Sequence, residues 1–311
     1  MKASSSIAEA PRNPVKRERL RQLPFRDDVV YGPIVSRRLG RSLGINLLPE
    51  NQKVCSFDCV YCQFPRSRQA SQWRGEATQL LNGEELIATI EHGLHRRFDA
   101  GVRLDSITFC GNGDPSVHPE FAEAATKVLA LRDAWFSGAA LSVFTNGLSM
   151  QDEFFESIRC FDSVFLKLDA GDSETLSAIN QPQLRVSLPE HIHRFANVPG
   201  LIYQTMVVKG VVDNRASILG DGYADLVRLA QPKAVHLYSI DKNPAYRGIE
   251  PVSREELEHI GEILRARLEL PVETFFSNLP SGFQDDPRLL QEFSGLKTMG
   301  GLDEERSAER T

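Results

Sequence analysis

The sequence predicts an α/β fold: a partial (β/α)6 TIM-like barrel with parallel strands. Three observations carry this. Short β-branched or apolar runs alternate with longer amphipathic stretches from about residue 29 onward, the pattern of repeated βα units. About six such units can be counted, fewer than the eight of a closed TIM barrel. The polar groups with chemical potential cluster just after the strand segments, where parallel βα folds gather their reactive groups.

The strands are expected near 42–48, 105–110, 141–145, 163–168, 201–208 and 234–239. The helices are expected near 83–98, 119–132, 151–159, 187–196, 219–230 and 253–268, each with apolar residues at i, i+3 and i+4. A further strand, Val272 to Phe276, closes one edge in this reading. The segments divide into an N-terminal basic extension (1–28), a core domain (29–245), a C-terminal α/β extension (246–299) and a disordered tail (300–311).

A chain of 311 residues with 41% hydrophobic and 25% charged residues has ordinary globular composition. Its longest apolar stretches fall far short of the roughly 20 residues that span a bilayer. Residues 1–26 carry scattered Arg and Lys without an apolar run, so no signal peptide is expected and the cytoplasm is the expected location. The net charge of −6 argues against a general nucleic-acid binder. Residues 29–75 depart from that balance: Arg37, Arg38, Arg41, Lys53, Arg66, Arg68 and Arg74 face only Glu50 and Asp58. A basic patch in an acidic protein suggests an anionic ligand.

Five cysteines, three of them within eight residues, do not form the even framework of a secreted disulfide domain. Cys55, Cys59 and Cys62 stand at C-x3-C-x2-C spacing directly after the first strand. Three thiolates on one loop can hold three irons of a 4Fe-4S cluster and leave the fourth iron open to another ligand. Electron-transfer clusters and structural zinc sites take four protein ligands, and no further Cys or His lies in this loop. Cys110 and Cys160 sit in apolar sequence and read as small buried hydrophobes.

With Tyr61 just before the third cysteine, the loop resembles the signature of the radical S-adenosylmethionine (SAM) superfamily. The resemblance implies that a 4Fe-4S cluster binds SAM through its amino and carboxylate groups and cleaves it to a 5'-deoxyadenosyl radical that takes a hydrogen from a substrate. It places Tyr61 near the adenine. Gly111-Asn112-Gly113-Asp114 resembles the superfamily's glycine-rich turn for the methionyl amine, although a plain turn with Asp114 capping the next helix fits the same residues. By the same analogy Asn146 and Asp169 hydrogen-bond the SAM ribose or carboxylate, and Lys167 pairs with an anion. Gln204, His236, Tyr238 and Asp241 read as pocket residues or as satisfied core polar groups.

Two further segments, from Tyr31 to Pro49 and Ile179-Asn180-Gln181-Pro182, resemble stand-alone Fe-S oxidoreductases related to the tRNA wybutosine-biosynthesis radical SAM enzymes, over about residues 30–245. The implied substrate is a tRNA base, an anionic metabolite or a protein residue, and the implied electron source is a reductase or a flavodoxin-type donor. Arg37, Arg38 and Arg41 suit a carboxylate or phosphate clamp, and equally a charged surface. No second catalytic acid or base can be assigned. No Cys follows Cys160, so no auxiliary cluster is expected in the C-terminal part. The alternative from a different class is a non-catalytic iron-sulfur electron carrier or metal-binding module.

Overall fold

The structure is a computed structural model in which residues 25–67, 80–149, 151–240 and 246–276 are described. Arg68, Arg74, Asp241, most of the basic extension and the expected tail lie outside the described residues. In chain order the strands are β1 (Val30–Ser36), β2 (Gly40–Ile45), β3 (Ser106–Phe109), β4 (Ala140–Thr145), β5 (Ser163–Lys167), β6 (Leu201–Met206), β7 (Val208–Gly210), β8 (Ala234–Tyr238), β9 (Ile249–Pro251) and β10 (Val272–Phe275). The helices are α1 (Gly83–Asp99), α2 (Phe121–Trp135), α3 (Asp152–Ser157), α4 (Ser173–Ile179), α5 (Leu188–His193), α6 (Arg215–Ile218), α7 (Asp221–Ala230) and α8 (Arg254–Leu268).

An 8-stranded sheet runs in the order β1-β2-β3-β4-β5-β6-β8-β10. Every neighbouring pair is parallel except β1 with β2. That antiparallel edge strand is the departure from an all-parallel expectation. Gly32-Pro33 interrupts the alternation of β1, and the register shifts between Tyr31 and Ile34, as a proline within an edge strand allows. At the other edge, β10 pairs with β8 where the sequence expected a closing strand. The segment expected as one strand over 201–208 divides at Val207 into β6 and β7, and β7 pairs with β9 as a separate antiparallel ribbon.

The two faces of the sheet differ in chemistry. Leu43, Ile45, Ile107, Phe109, Leu141, Val143, Val164, Leu166, Tyr203, Val235 and Leu237 point outward and are fully buried with the helices' Leu86, Ile90, Leu94, Phe121, Val128, Ile192 and Leu264. Alternation then turns Ser42, Thr108, Ser142, Phe144, Phe165, Lys167, Gln204, His236 and Tyr238 to the inner face. The sheet curls around that face: Arg37, in the turn after β1, donates to the Phe276 carbonyl just past β10. Local signals agree with the helices. Asn82 caps α1 by accepting from Glu85 N, and Ser253 with Glu256 forms a capping box on α8. Each cap contributes about 1 kcal/mol. No helix among the described residues is long and apolar enough to cross a membrane.

Candidate active site

The cysteine loop leaves the carboxyl end of β2 and is tied down on two sides. On one side Val54 bridges to Gly113, with Val54 N donating to Asn112 O at 3.0 Å and Asp114 N to Val54 O at 3.0 Å. On the other, the loop lies along the segment after α4: Asp58 N donates to Asn180 O at 2.9 Å, Val60 N to Ile179 O at 2.8 Å and Gln183 N to Ser56 O at 2.9 Å. Cys55, Cys59 and Cys62 are free and half-buried on this tethered loop. Asn146 Nδ2 points at Cys55 Sγ, 3.6 Å away, and Asn180 Nδ2 at Cys59 Sγ, 3.3 Å away.

Beneath them lies Lys53, whose side chain is only 2% exposed, 3.2 Å from Asp58. Burial alone would lower its pKa. The charges of Cys62, Cys55, Asp58 and Cys59 override that and hold the ammonium above the ordinary lysine range. Burial also lifts the Cys59 thiol, to about 11.

The remaining cysteines take no part in the loop. Cys110 Sγ meets the Tyr31 hydroxyl at 3.0 Å. Cys160 is exposed, contrary to the expectation of a buried hydrophobe, because it ends the 3-10 turn after α3 and its Sγ donates to Ser157 O.

The glycine-rich turn serves first as scaffold. Asn112 Nδ2 donates to Pro49 O at 2.9 Å and Arg26 O at 2.8 Å, and its side-chain oxygen accepts from Arg26 N. Asp114 accepts from Ser116 N at 2.9 Å, Thr145 Oγ1 at 2.8 Å and Asn146 N at 2.5 Å, which fixes the end of β4 against the end of β3. Burial raises its pKa, opposed by those donors.

Tyr61, Lys167 and Asp169 come together at the carboxyl end of β5, and Asn146 stands at the end of the neighbouring β4. Tyr61 donates its hydroxyl to Asp169 Oδ2, which also accepts from Asn180 Nδ2 at 2.6 Å. The other carboxylate oxygen accepts from Met206 N at 2.7 Å and lies 3.6 Å from Lys167 Nζ. Burial and then the Asp169 charge raise the Tyr61 pKa well above the ordinary tyrosine value, so this hydroxyl remains a donor. Asn146 holds its place through Ser56 Oγ at 3.0 Å and a His191 Nε2 contact to its carbonyl.

Asn180 is the residue of this cluster that residue-by-residue reading missed. It is fully buried and joins Cys59, Tyr61 and Asp169. The quoted run Ile179 to Pro182 contained it, but nothing in the spacing shows that this run folds back over the cysteines.

The three arginines separate. Arg41 forms a two-bond pair with Asp105 at the surface, both side chains about half exposed. Arg37 is spent on the sheet edge. Arg38 alone turns to the inner face, near the rings of Phe144, Phe165, Tyr238 and Phe275 and close enough to act on His236.

The sequence model of the radical SAM superfamily matches residues 52–215, more than half of the chain. The chain belongs to the radical SAM superfamily. Superfamily members use a 4Fe-4S cluster and S-adenosylmethionine. Among its relatives are a UPF0026 protein of Helicobacter pylori, 25% identical over 74% of this chain and 71% of that one, and a UPF0026 protein of Methanocaldococcus jannaschii, 28% identical over 75% and 70%. The fold is shared with a radical SAM methyltransferase from Sphaerobacter thermophilus: TM-score 0.54, 21% identity, 76% of this chain and 67% of that one. It is also shared with Streptococcus suis SuiB bound to S-adenosylmethionine: TM-score 0.51, 13% identity, 82% of this chain and about half of that one, 53%.

The donor set of this radical SAM chain suits a cluster. Three free thiols share one loop, two amide donors aim at their sulfurs, and a buried cation offsets thiolate charge. Among the described residues no three Cys, His, Asp or Glu side chains close on a single-ion centre. A cluster instead distributes its thiolates over separate irons.

Proposed function

We propose that this chain holds a 4Fe-4S cluster through Cys55, Cys59 and Cys62 and acts as a radical SAM enzyme of the oxidoreductase or transferase kind, with electrons from a reductase or flavodoxin-type donor. When bound, the cluster supplies one electron that splits SAM into methionine and a 5'-deoxyadenosyl radical, which takes a hydrogen from the substrate. The protein supplies position. Asn146 and Asn180 orient Cys55 and Cys59 through their amide groups. Asp169, clamped by Tyr61, Asn180 and Met206 N, presents a fixed carboxylate for the ribose hydroxyls. Lys167 is a buried cation suited to the SAM carboxylate. The peptide groups of Gly111 to Gly113 serve the methionyl amine, and Asp114 fixes the turn through three protein donors.

The observation that carries this reading is the doubly tethered loop of three free thiols at the carboxyl end of a parallel sheet. The test is anaerobic reconstitution with iron and sulfide, then SAM and dithionite, with 5'-deoxyadenosine as the readout. Production that vanishes in Cys62→Ala and persists in Cys110→Ala supports it. Loss of the cluster in Cys110→Ala would point to four-cysteine electron carriage. Zinc in place of iron would sink the reading.

A further inference from the structure

Phe25 and Arg26 precede β1 and lie ahead of the segment 52–215 that is shared with the superfamily, yet they reach both ends of the cysteine loop. At the entrance the link runs through Asn112, which is fully buried. Its side chain acts on Arg26 as a neighbouring strand would: Oδ1 accepts from Arg26 N at 2.7 Å, and Nδ2 donates to Arg26 O at 2.8 Å. An amide engaged on both its oxygen and its nitrogen cannot flip without facing donor to donor and acceptor to acceptor. The main-chain carbonyl of the same Asn112 accepts from Val54 N at 3.0 Å, one residue before Cys55. Arg26 is therefore fixed relative to the start of the loop, and its guanidinium carbon rests 4.7 Å from the Tyr31 ring centre on β1.

At the exit the link is a ring stack. Phe25 lies parallel to Phe64, with centroids 5.2 Å apart and planes inclined by 5°. Both rings are half-buried, and Phe64 stands two residues past Cys62. Beyond it the chain is drawn back towards the loop by Arg66, whose Nε lies 2.6 Å from Asp58 Oδ2. The Arg66 side chain is 60% exposed, so water and salt weaken that pair. Neither weakens the contact between two apolar rings.

The three cysteines are thus placed by different means. Cys55 and Cys59 are each faced by a side-chain amide from the body of the fold, Asn146 and Asn180. Cys62 takes its position from the backbone on either side: its N–H donates to Cys59 O at 3.0 Å, and the chain leaving it is anchored at Phe64. We infer that Phe25 is a positioning residue for Cys62, acting through Phe64, and that residues 25 and 26 form a third tether of the cysteine loop. That Cys62 holds iron rests on the proposed function; the tether does not.

The test is Phe25→Ala in the full-length chain, read in two ways. In the metal-free protein, alkylation by iodoacetamide is followed at each cysteine by mass spectrometry. The rate at Cys62 should rise about fivefold or more, the equivalent of about 1 kcal/mol and the size of one aromatic pair, and the rates at Cys55 and Cys59 should change by less than about twofold. In the reconstituted protein, loss of iron to bathophenanthroline disulfonate should accelerate by a similar factor. Phe25→Tyr keeps the stack and should restore both rates, and far-ultraviolet spectra confirm that the variants are folded.

An unchanged rate at Cys62, or equal acceleration at all three cysteines, overturns the assignment. So do unaltered iron release from loaded Phe25→Ala and a Phe25→Tyr protein that behaves like Phe25→Ala. If the wild-type chain takes up no iron and sulfide while Cys62 still reacts faster in Phe25→Ala, the tether stands and the cluster reading is removed.

Discussion

Gly113→Ala tests whether the cysteine loop is held by the glycine-rich turn. Gly113 has φ of +151°, and a Cβ built there would stand 1.8 Å from Val54 O and 2.5 Å from Val54 C. The obstacle is backbone, so no rotamer change relieves it. Val54 has to withdraw, and Val54 immediately precedes Cys55. Withdrawal breaks the 3.0 Å bonds Val54 N to Asn112 O and Asp114 N to Val54 O. Two hydrogen bonds at about 1 kcal/mol each and backbone strain of about 1–3 kcal/mol make a local cost of about 3–5 kcal/mol.

That cost is below the total stability of many domains, about 5–15 kcal/mol. The expected result is therefore a folded protein with a displaced loop. Iron and sulfide content after anaerobic reconstitution is the assay, and cluster retention should fall about tenfold or more, as when supporting contacts of metal ligands are lost. Gly101→Ala is the control: its φ is +66°, yet nothing lies within 4 Å of its Cβ position, so it carries strain of about 1–2 kcal/mol without a collision. Equal cluster retention in the two variants would refute the tether.

Three further outcomes follow from the same geometry. Asn180→Ala removes an N–H donor aimed at Cys59 Sγ, and the cluster's reduction potential, read by EPR-monitored titration, should move to a more negative value; an unchanged potential would separate Asn180 from the cluster. Lys53→Met breaks a buried ion pair and leaves Asp58 to Arg66 alone, at a cost of about 3–5 kcal/mol in urea unfolding, and a loss under about 1 kcal/mol would show that Lys53 is dispensable. His118 is held by burial at about 4 against 6.5 in the unfolded chain, so between those values the unfolded state binds the extra proton and stability falls as pH falls, by up to about 1.4 kcal/mol per unit; His118→Asn should flatten that part of the profile, and parallel profiles would count against it.

The outward face of the sheet was legible because each of its residues obeys a local rule: apolar side chains at period two in strands and at i, i+3, i+4 in helices. The cysteine loop was legible because its chemistry is written in contiguous residues. The antiparallel edge strand was hidden by Gly32-Pro33, which breaks the alternation that marks a strand. The short α4, capped by Asp172, is too brief to show a helical period. Arg41 and Arg38 are three residues apart and look alike in sequence, but one pairs with Asp105 outside and the other lies among four rings inside. That difference is set by the direction of the β1–β2 turn, which charge counting does not contain. Asn180 was hidden for a similar reason: its partner Cys59 is 121 residues away in sequence.

The tethers also decide what metal binding has to do. In small zinc modules ligand capture supplies the folding free energy, because no site exists before the metal arrives. Here the loop's main-chain contacts to Asn112, Ile179 and Asn180 are made by backbone groups that no metal ligand replaces. The large buried core between the sheet and its helices is built from apolar side chains, and Cys55 and Cys59 pack only against its margin. Cluster loss is then a local event at the carboxyl ends of the strands, and the binding free energy of iron and sulfide goes into holding the cysteines against Asn146 and Asn180. An arrangement built this way holds Asp169 through Asn180 Nδ2 and Met206 N, contacts in which no thiol takes part.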